Sequence, residues 1–247
     1  MIKRLIISLV ALMLVIPSVQ ANLSKLTGGH NPWSPYIEEN GNGLIKDIVS
    51  AAYNAQNIEF EFKTAPFSRI LMLADNHQID LVAALWSTKQ RRATMFYSTA
   101  YFYNQLVLIS KNTNPIDYKG IASLRFRSVA TVRGYGYHSL LDNIDELTIT
   151  DVLNLHTCLE LVVKDRVEVA IADYLAFEYE RKTMAEFKQL DAYFPAIVRW
   201  PLYIGVSKSH PQAQQIITNF NLGLAKIQEN GTYQAILAKY ITDNRFK

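Results

Sequence analysis

The sequence predicts an α/β fold with a mainly parallel sheet flanked by helices. Apolar segments of strand length alternate with segments of helical spacing, which is typical of doubly wound parallel sheets. Hydrophobic residues make up 49% of the chain and aromatic residues 11%, enough for a packed core in one large domain or two small ones. The formal net charge of +3 is too small to indicate a nucleic-acid partner.

The N-terminal residues predict a secretory signal peptide. Lys3 and Arg4 precede an apolar run over 5–16, and small residues follow at Val19 and Ala21. The run is shorter than the roughly 20 residues that a membrane span needs. We therefore expect cleavage after Ala21, with residues 1–21 removed, and a mature chain in the periplasm.

The first part of the mature chain predicts alternating strands and helices. A strand begins in the segment 23–29, and the prolines Pro32 and Pro35 then force an irregular loop. Apolar residues at helical spacing predict helices over 44–52 and 68–76. Period-two alternation predicts a strand over 58–62, and a short apolar run predicts a buried strand over 80–85.

The later part of the chain repeats this alternation. Apolar residues at helical spacing from Leu155 to Val163 predict an amphipathic helix, and two closing helices are separated by a stop at Gly231. Further strands are predicted over 105–110, 128–132, 167–172 and 200–206.

Cysteine and histidine usage predicts no metal site and no cofactor. Cys158 is the single cysteine and lies among apolar residues at helical spacing, so we expect a buried structural thiol. The five histidines are scattered without metal-ligand spacing.

The turn after the strand 80–85 predicts an anion-binding site. Thr88 stands where a helix N-cap is expected, and the N–H groups of a first helical turn attract anions. Arg91 and Arg92 lie in the same turn, and a guanidinium can hold a carboxylate through two parallel hydrogen bonds. The alternative is that both arginines lie on a solvated helix face.

Other residues mark candidate ligand contacts. Trp33 and Tyr36 lie on the proline-stiffened loop, where they form a ligand wall or pin the loop to the core. Gly134 lies in a strand-to-helix turn whose N–H groups could face a ligand. Asp173 follows a β-branched strand, at the sheet edge where ligands bind, and could also cap the next helix.

A series of short motifs resembles bacterial extracellular solute-binding protein family 3, the polar amino-acid uptake class. The motifs span nearly all of the mature chain and follow the predicted signal peptide in the family's order. They are Ser34-Pro35-Tyr36 (similar to PPY/F), 43–48 (GFDVDL), Gln78-Ile79-Asp80-Leu81 (GKIDL), Thr88-Lys89-Gln90-Arg91 (TPER), 97–101 (FSDPYY), Val132-Arg133-Gly134 (VQRGT), 166–173 (GRVDAVVVD) and Gly231-Thr232-Tyr233 with Lys239-Tyr240 (GTYDKIYKKY).

The resemblance implies the type II periplasmic binding protein fold, in which two α/β lobes joined by two hinge strands close on a ligand. Lobe 1 is expected to comprise 22–104 and 201–247, and lobe 2 to comprise 105–200. The resemblance further implies that Arg91 clamps the ligand's α-carboxylate and that Asp173 takes its α-amino group. The full expected ligand-binding set is His30, Trp33, Tyr36, Phe67, Trp86, Thr88, Arg91, Gly134, Tyr135 and Asp173.

Some positions depart from the family pattern. The family's early acidic residue falls at His30, and a one-residue deletion before the TPER-like motif makes Arg92 an alternative clamp. Bulky side chains replace small hydroxyl residues near the expected ligand, at Leu85, Trp86 and Tyr135. We therefore expect a cleft more apolar than that of a basic amino-acid binder, with an aromatic or bulky organic acid, or an amino-acid derivative, as ligand.

The resemblance implies a monomeric, non-enzymatic solute-binding protein that captures a small carboxylate-bearing solute and delivers it to an ABC importer. One alternative is a periplasmic enzyme similar to cyclohexadienyl dehydratase, for which His30 and Asp173 are the candidate acids or bases. Another alternative is a stand-alone sensor that docks on a membrane receptor. No cofactor, catalytic residue or nucleic-acid partner is expected.

Overall fold

The structure is a computed structural model of the 247-residue chain. It describes residues 23–136 and 138–241, apart from the side chains of residues 138 and 139. The predicted signal peptide lies outside the described residues. Within the described ranges, every helix is too short or too polar to cross a bilayer.

The elements of the first part of the chain follow the predicted alternation, with one added short strand, β4. They are β1 (Lys25–His30), α1 (Leu44–Asn54), β2 (Glu59–Thr64), α2 (Phe67–Asp75), β3 (Leu81–Trp86), α3 (Lys89–Thr94), β4 (Met95–Tyr97) and β5 (Phe102–Lys111).

The later part contains all of the predicted strands and helices and several more. They are a 3-10 turn (Ala122–Leu124), β6 (Ser128–Val132), α4 (His138–Leu141), β7 (Thr148–Val152), α5 (Leu155–Val163), β8 (Val169–Asp173), α6 (Tyr174–Thr183), a 3-10 turn (Ala185–Gln189), β9 (Leu190–Ala192), β10 (Val198–Ser207), α7 (Ala213–Glu229) and α8 (Thr232–Tyr240). The helix stop predicted at Gly231 separates α7 from α8.

The strands form one mixed sheet in the order β2-β1-β3-β10-β5-β8-β6-β7, with β4 on β10 and β9 on β5. Parallel pairing holds β1 to β2 and β3, and β6 to β7 and β8. The pairs made by β5 and β10 with their neighbours are antiparallel. The sheet is therefore two parallel groups joined by two antiparallel strands, rather than the uniformly parallel sheet that alternation alone predicts.

Strands β5 and β10 connect the two groups. The start of β10 pairs with the start of β5, its later part pairs with β3 and β4, and the later part of β5 pairs with β8 and β9. We call the β1 to β4 group, with α1 to α3, α7 and α8, lobe 1, and the β6 to β9 group, with α4 to α6, lobe 2. The predicted boundaries at 104/105 and 200/201 fall within the connecting strands and remain a prediction.

Close packing fixes the helices on the sheet. Gly223 of α7 lies so near α1 that a Cβ there would be 1.8 Å from the carbonyl oxygen of Ala52. In lobe 2, Cys158 is fully buried on α5, and burial raises the pKa of its thiol to about 12. The prediction of a structural cysteine is thereby confirmed.

Candidate functional site

A cavity lies between the two lobes and is mostly aromatic. Its volume is about 20 Å³, which is room for about one water molecule. Lobe 2 contributes Tyr135, and Leu202 comes from the connecting strand β10. The lining residues are His30, Trp33, Phe67, Ala84, Trp86, Arg91, Tyr135 and Leu202.

The parallel strands of lobe 1 position its side of the cavity. His30 is the last residue of β1, and Trp86 is the last residue of the neighbouring strand β3. Phe67 begins α2, just after β2. Because the carboxyl ends of parallel strands meet at one edge of a sheet, residues distant in sequence converge there.

Three aromatic rings meet edge to face in the cleft, two from lobe 1 and that of Tyr135 from lobe 2. The ring centroids of Trp33 and Trp86 are 5.9 Å apart at 90°. The ring of Tyr135 lies 6.1 Å from that of Trp33 and 5.4 Å from that of Trp86, at 68° and 85°. Such edge-to-face contacts are the favoured aromatic geometry, so these rings help to hold the lobes together.

Trp86 is fixed by residues that the sequence did not identify as part of the site. Its ring stacks on Trp200 with centroids 5.0 Å apart and planes 3° from parallel. Its Nε1–H donates to Asn104 Oδ1 at 2.8 Å. A Cβ on Gly136 would lie 3.0 Å from Trp200 and 3.5 Å from Trp86, so the lobe 2 backbone approaches this stack closely.

Arg91 is the charged residue among the described residues that line the cavity. Its Nη1 donates to the carbonyl oxygen of Trp86 at 3.2 Å, and its Nη2 donates across the cleft to the carbonyl oxygen of Gly134 at 3.0 Å. The guanidinium carbon also lies 5.2 Å from the centroid of Phe67. Burial lowers the pKa of Arg91 below its usual value, but a guanidinium remains protonated at neutral pH.

Thr88 caps α3 as predicted and thereby orients Arg91. Its Oγ1 accepts from the Arg91 N–H at 3.2 Å, and its carbonyl oxygen accepts from the Arg92 N–H at 3.0 Å. Since these N–H groups are used within the chain, the guanidinium is what reaches the cavity. Arg92 is exposed, and its Nη1 donates to Ser87 Oγ at 3.0 Å.

Asp173 is buried and lies outside the cavity lining. Its Oδ1 accepts from the Leu175 and Ala176 N–H groups of α6 at 3.0 and 3.1 Å, which confirms the alternative that it caps the next helix. Oδ1 also accepts from the Tyr36 hydroxyl at 2.5 Å, and this bond joins the lobes.

The second oxygen of Asp173 accepts from Asn104 Nδ2 at 3.0 Å and from the Gln105 N–H at 3.2 Å. Burial raises the pKa of this carboxyl above its usual value, and the Tyr36 hydrogen bond opposes that rise. The structure therefore places Asp173 and Tyr36 in an interlobe hydrogen bond and not against the cavity.

His30 is buried and neutral. Its Nδ1–H donates to the Asn31 carbonyl oxygen at 2.9 Å, and burial lowers its pKa to about 4. The ring lies 5.8 Å from Trp33 and 5.0 Å from Phe67, so it belongs to the aromatic wall. An imidazole in this state at neutral pH is not a counter-ion for a ligand cation.

A cluster of potential metal ligands lies on α5 and the neighbouring 3-10 turn, apart from the cavity. His156, Glu160 and Glu186 place one ligand-type atom each within 4.8 Å of the others. The first two lie one helical turn apart on α5, a spacing that emerges only when histidines and carboxylates are considered together. Glu160 pairs with Lys164 at 3.0 Å, so we assign no metal to this surface cluster.

Comparison with known proteins gives matches over most of the chain. The family model of the bacterial extracellular solute-binding proteins, family 3, matches residues 26–243. The chain is similar to an arginine-binding periplasmic protein of Mannheimia haemolytica, with 23% identity over 211 residues that cover 83% of this chain and 84% of the relative.

Solved structures with the same fold include binding and sensor proteins. An ancestral arginine-binding protein bound to arginine matches with a TM-score of 0.77 and 20% identity, over 88% of this chain and 98% of that one. A histidine kinase sensor domain with similarity to periplasmic binding proteins matches with a TM-score of 0.79 and 18% identity, over 89% and 96%. These matches confirm the two-lobe type II fold expected from the sequence.

Proposed function

The chain belongs to the bacterial extracellular solute-binding proteins of family 3, and on that premise we propose that it captures a small carboxylate-bearing solute between its lobes for an ABC importer. It acts in the periplasm as a monomer once the predicted signal peptide is removed. The observation that carries the proposal is the guanidinium of Arg91, which lies in an aromatic cleft between lobes.

The present partners of Arg91 are weaker than those a ligand could supply. Both acceptors of its guanidinium are neutral carbonyl oxygens, on Trp86 and Gly134. A carboxylate adds the attraction of an opposite charge and often accepts two parallel N–H bonds from one guanidinium. A ligand carboxylate that replaces the Gly134 carbonyl therefore gains a better interaction than it breaks.

Ligand entry requires the lobes to separate. A cavity of about 20 Å³ cannot hold an amino-acid-sized solute. The closed arrangement is held by Arg91 with Gly134, by Tyr36 with Asp173, and by the Tyr179 hydroxyl, which donates to Glu38 Oε2 at 3.4 Å. Bending of β5 and β10 would break these bonds together, and a ligand that contacts both lobes would shift the population back toward closure.

Binding without chemistry fits the cleft better than catalysis does. Of the candidate acids and bases, His30 is neutral with a pKa of about 4, and Asp173 is enclosed by protein donors. Neither holds a proton poised for transfer to a bound solute near neutral pH. Incubation with prephenate or arogenate should yield no product, and turnover that His30→Gln abolishes would replace this proposal with an enzymatic one.

A thermal-shift screen with matched arginine variants tests the binding function. Wild-type protein, Arg91→Ala and Arg92→Ala are screened against amino acids, short peptides, polyamines and small carboxylates. A ligand that binds only the folded state raises the melting temperature by mass action. We expect a carboxylate to stabilise wild type and Arg92→Ala but not Arg91→Ala. An equal response of all three proteins to every carboxylate would contradict the proposal.

A further inference from the structure

One segment of lobe 2 occupies the part of the cleft that a ligand would fill. The carbonyl oxygen of Gly134 accepts from Arg91 Nη2 at 3.0 Å. The next residue places its ring against the lobe 1 wall, with the centroid of Tyr135 5.4 Å from Trp86 and 6.4 Å from Phe67. A single segment thus offers an oxygen to the guanidinium and an aromatic ring to the wall.

The covalent spacing of this segment resembles that of an aryl-alkanoate. The Gly134 carbonyl carbon is joined to the Tyr135 ring through the amide nitrogen, Cα and Cβ. In 4-phenylbutanoate the same number of atoms joins the carboxylate carbon to its ring. Gly134 has a φ of 81°, in the left-handed region that glycine adopts without steric cost, and this turn lets the carbonyl face Arg91.

Lobe 1 therefore has a binding surface for an oxygen and a ring at a fixed separation. When the lobes part, Gly134 and Tyr135 withdraw with lobe 2, and the guanidinium and the walls formed by Trp33, Phe67 and Trp86 are exposed together. A ligand that carries both groups could replace the segment without rearranging lobe 1.

The described part of this surface offers no carboxylate to pair with an ammonium group. Arg91 is the ionised residue among the described residues of the cavity lining, and no carboxylate is among them. The positions not described between residues 136 and 140 hold no acidic residue. Asp173 accepts from five protein donors, whereas a carboxylate has about four lone-pair sites. Opening of the lobes removes the Tyr36 donor, and the four donors that remain still match these sites.

We propose that the solute is an aromatic carboxylate without an α-ammonium group, an inference that rests on the proposed binding function. Its carboxylate pairs with Arg91 and its ring takes the place of the Tyr135 ring. A zwitterionic amino acid would have to bury its ammonium without a counter-ion, which is costly, whereas an aromatic ring gains edge-to-face contacts.

Matched ligand pairs test this inference by calorimetry on the wild-type protein. The pairs are 3-phenylpropanoate with phenylalanine and indole-3-propanoate with tryptophan, and 4-phenylbutanoate is measured beside them. Within each pair the two compounds differ only in the ammonium. We expect the compound without ammonium to bind at least about tenfold tighter, because an unpaired buried ammonium is penalised.

The variant Asp173→Asn separates the two possible roles of the carboxylate. We expect it to change the affinity for both members of a pair by the same factor, since Asp173 contacts neither. Selective weakening of phenylalanine or tryptophan would show that Asp173 holds the ammonium and would overturn the inference. A wild-type preference for the amino acids would also overturn it without any variant.

The remaining outcomes distinguish this inference from the proposed function. Tight binding of an amino acid that Arg91→Ala abolishes keeps the binding function and removes the inference. Binding of glycine betaine without binding of the aromatic acids would also keep the binding function and remove the inference, because a quaternary ammonium would then occupy the aromatic wall. If no carboxylate of the wider screen binds, the proposed function itself fails.

Discussion

The interlobe hydrogen bond between Tyr36 and Asp173 is expected to favour the closed state. In Tyr36→Phe, the hydroxyl that donates to Asp173 Oδ1 at 2.5 Å is lost. Oδ1 keeps the two helix N–H donors and Oδ2 keeps its own two, so the carboxylate is not left without partners. The loss is therefore that of one hydrogen bond to a charged group, about 1.5 to 3 kcal/mol.

This loss falls on the equilibrium between closed and open lobes, because the bond exists only when the lobes meet. At 1.4 kcal/mol per factor of ten, the ratio of closed to open protein should fall about ten- to hundredfold. Ligand affinity should weaken to the extent that the ligand-free protein is open, and the radius of gyration should rise to the extent that it is closed. Each lobe should keep its own packing.

Small-angle scattering and calorimetry measure the two consequences. Tyr53→Phe is the matched control, since the Tyr53 hydroxyl is also buried but donates to the Ile216 carbonyl oxygen within lobe 1, at 3.3 Å. We expect a larger radius of gyration for ligand-free Tyr36→Phe than for wild type or the control. If Tyr36→Phe scatters like wild type and binds ligand equally well, the reasoning is refuted.

Further predictions concern pH, packing and motion. Folding lowers the pKa of His30 from 6.5 to about 4. The contribution of this group to the free energy of unfolding is therefore fully present above pH 6.5 and should fall by about 3 kcal/mol as the pH falls to 4. Urea unfolding should show this loss in wild type and not in His30→Gln. Gly223→Ala should lower the free energy of unfolding by about 3 kcal/mol or more, because its Cβ would lie 1.8 Å from the Ala52 carbonyl oxygen. The control Leu222→Ala, at an exposed position on the same helix, should change the free energy of unfolding by less than about 1 kcal/mol. Equal effects of the two substitutions would argue against the close packing of α7 on α1. Trp200→Ala should weaken ligand binding with little effect on the fold, because Trp86 loses the ring it stacks on, and unchanged affinity would remove Trp200 from the site. A saturating ligand should make wild type more compact in solution, and tight binding without compaction would exclude closure as the mechanism.

Much of the secondary structure could be predicted from local pattern. The strand predicted over 80–85 is β3 (Leu81–Trp86), and Thr88 caps the helix that follows it. Both features depend on residues close in sequence: the strand on a run of apolar side chains, and the helix start on the capping oxygen of Thr88. The weaker strand β7, whose sequence is Thr-Ile-Thr-Asp-Val, carries little apolar signal, and β4 and β9 have three residues each. No sequence period distinguishes such strands from loops.

The site was predictable in part, because motif order located the loops but not the contacts between them. Arg91 and the aromatic walls do lie together in the structure. The stacking of Trp200 on Trp86 and the bond from Trp86 to Asn104 join residues from three strands, and no local pattern reports them. The enclosure of Asp173 likewise depends on Tyr36 and Asn104, each far away in sequence.

The affinity of the Arg91→Ala variant tests the central claim most directly, that this guanidinium holds a ligand carboxylate between the lobes. The tightest-binding carboxylate of the thermal-shift screen is titrated calorimetrically into wild type, Arg91→Ala, Arg91→Lys and the control Arg92→Ala. We expect Arg91→Ala to lose about 2 to 4 kcal/mol of binding free energy, Arg91→Lys to recover little of it, and Arg92→Ala to bind like wild type. Equal affinity of Arg91→Ala and wild type would contradict the claim, and a loss confined to Arg92→Ala would move the clamp by one residue.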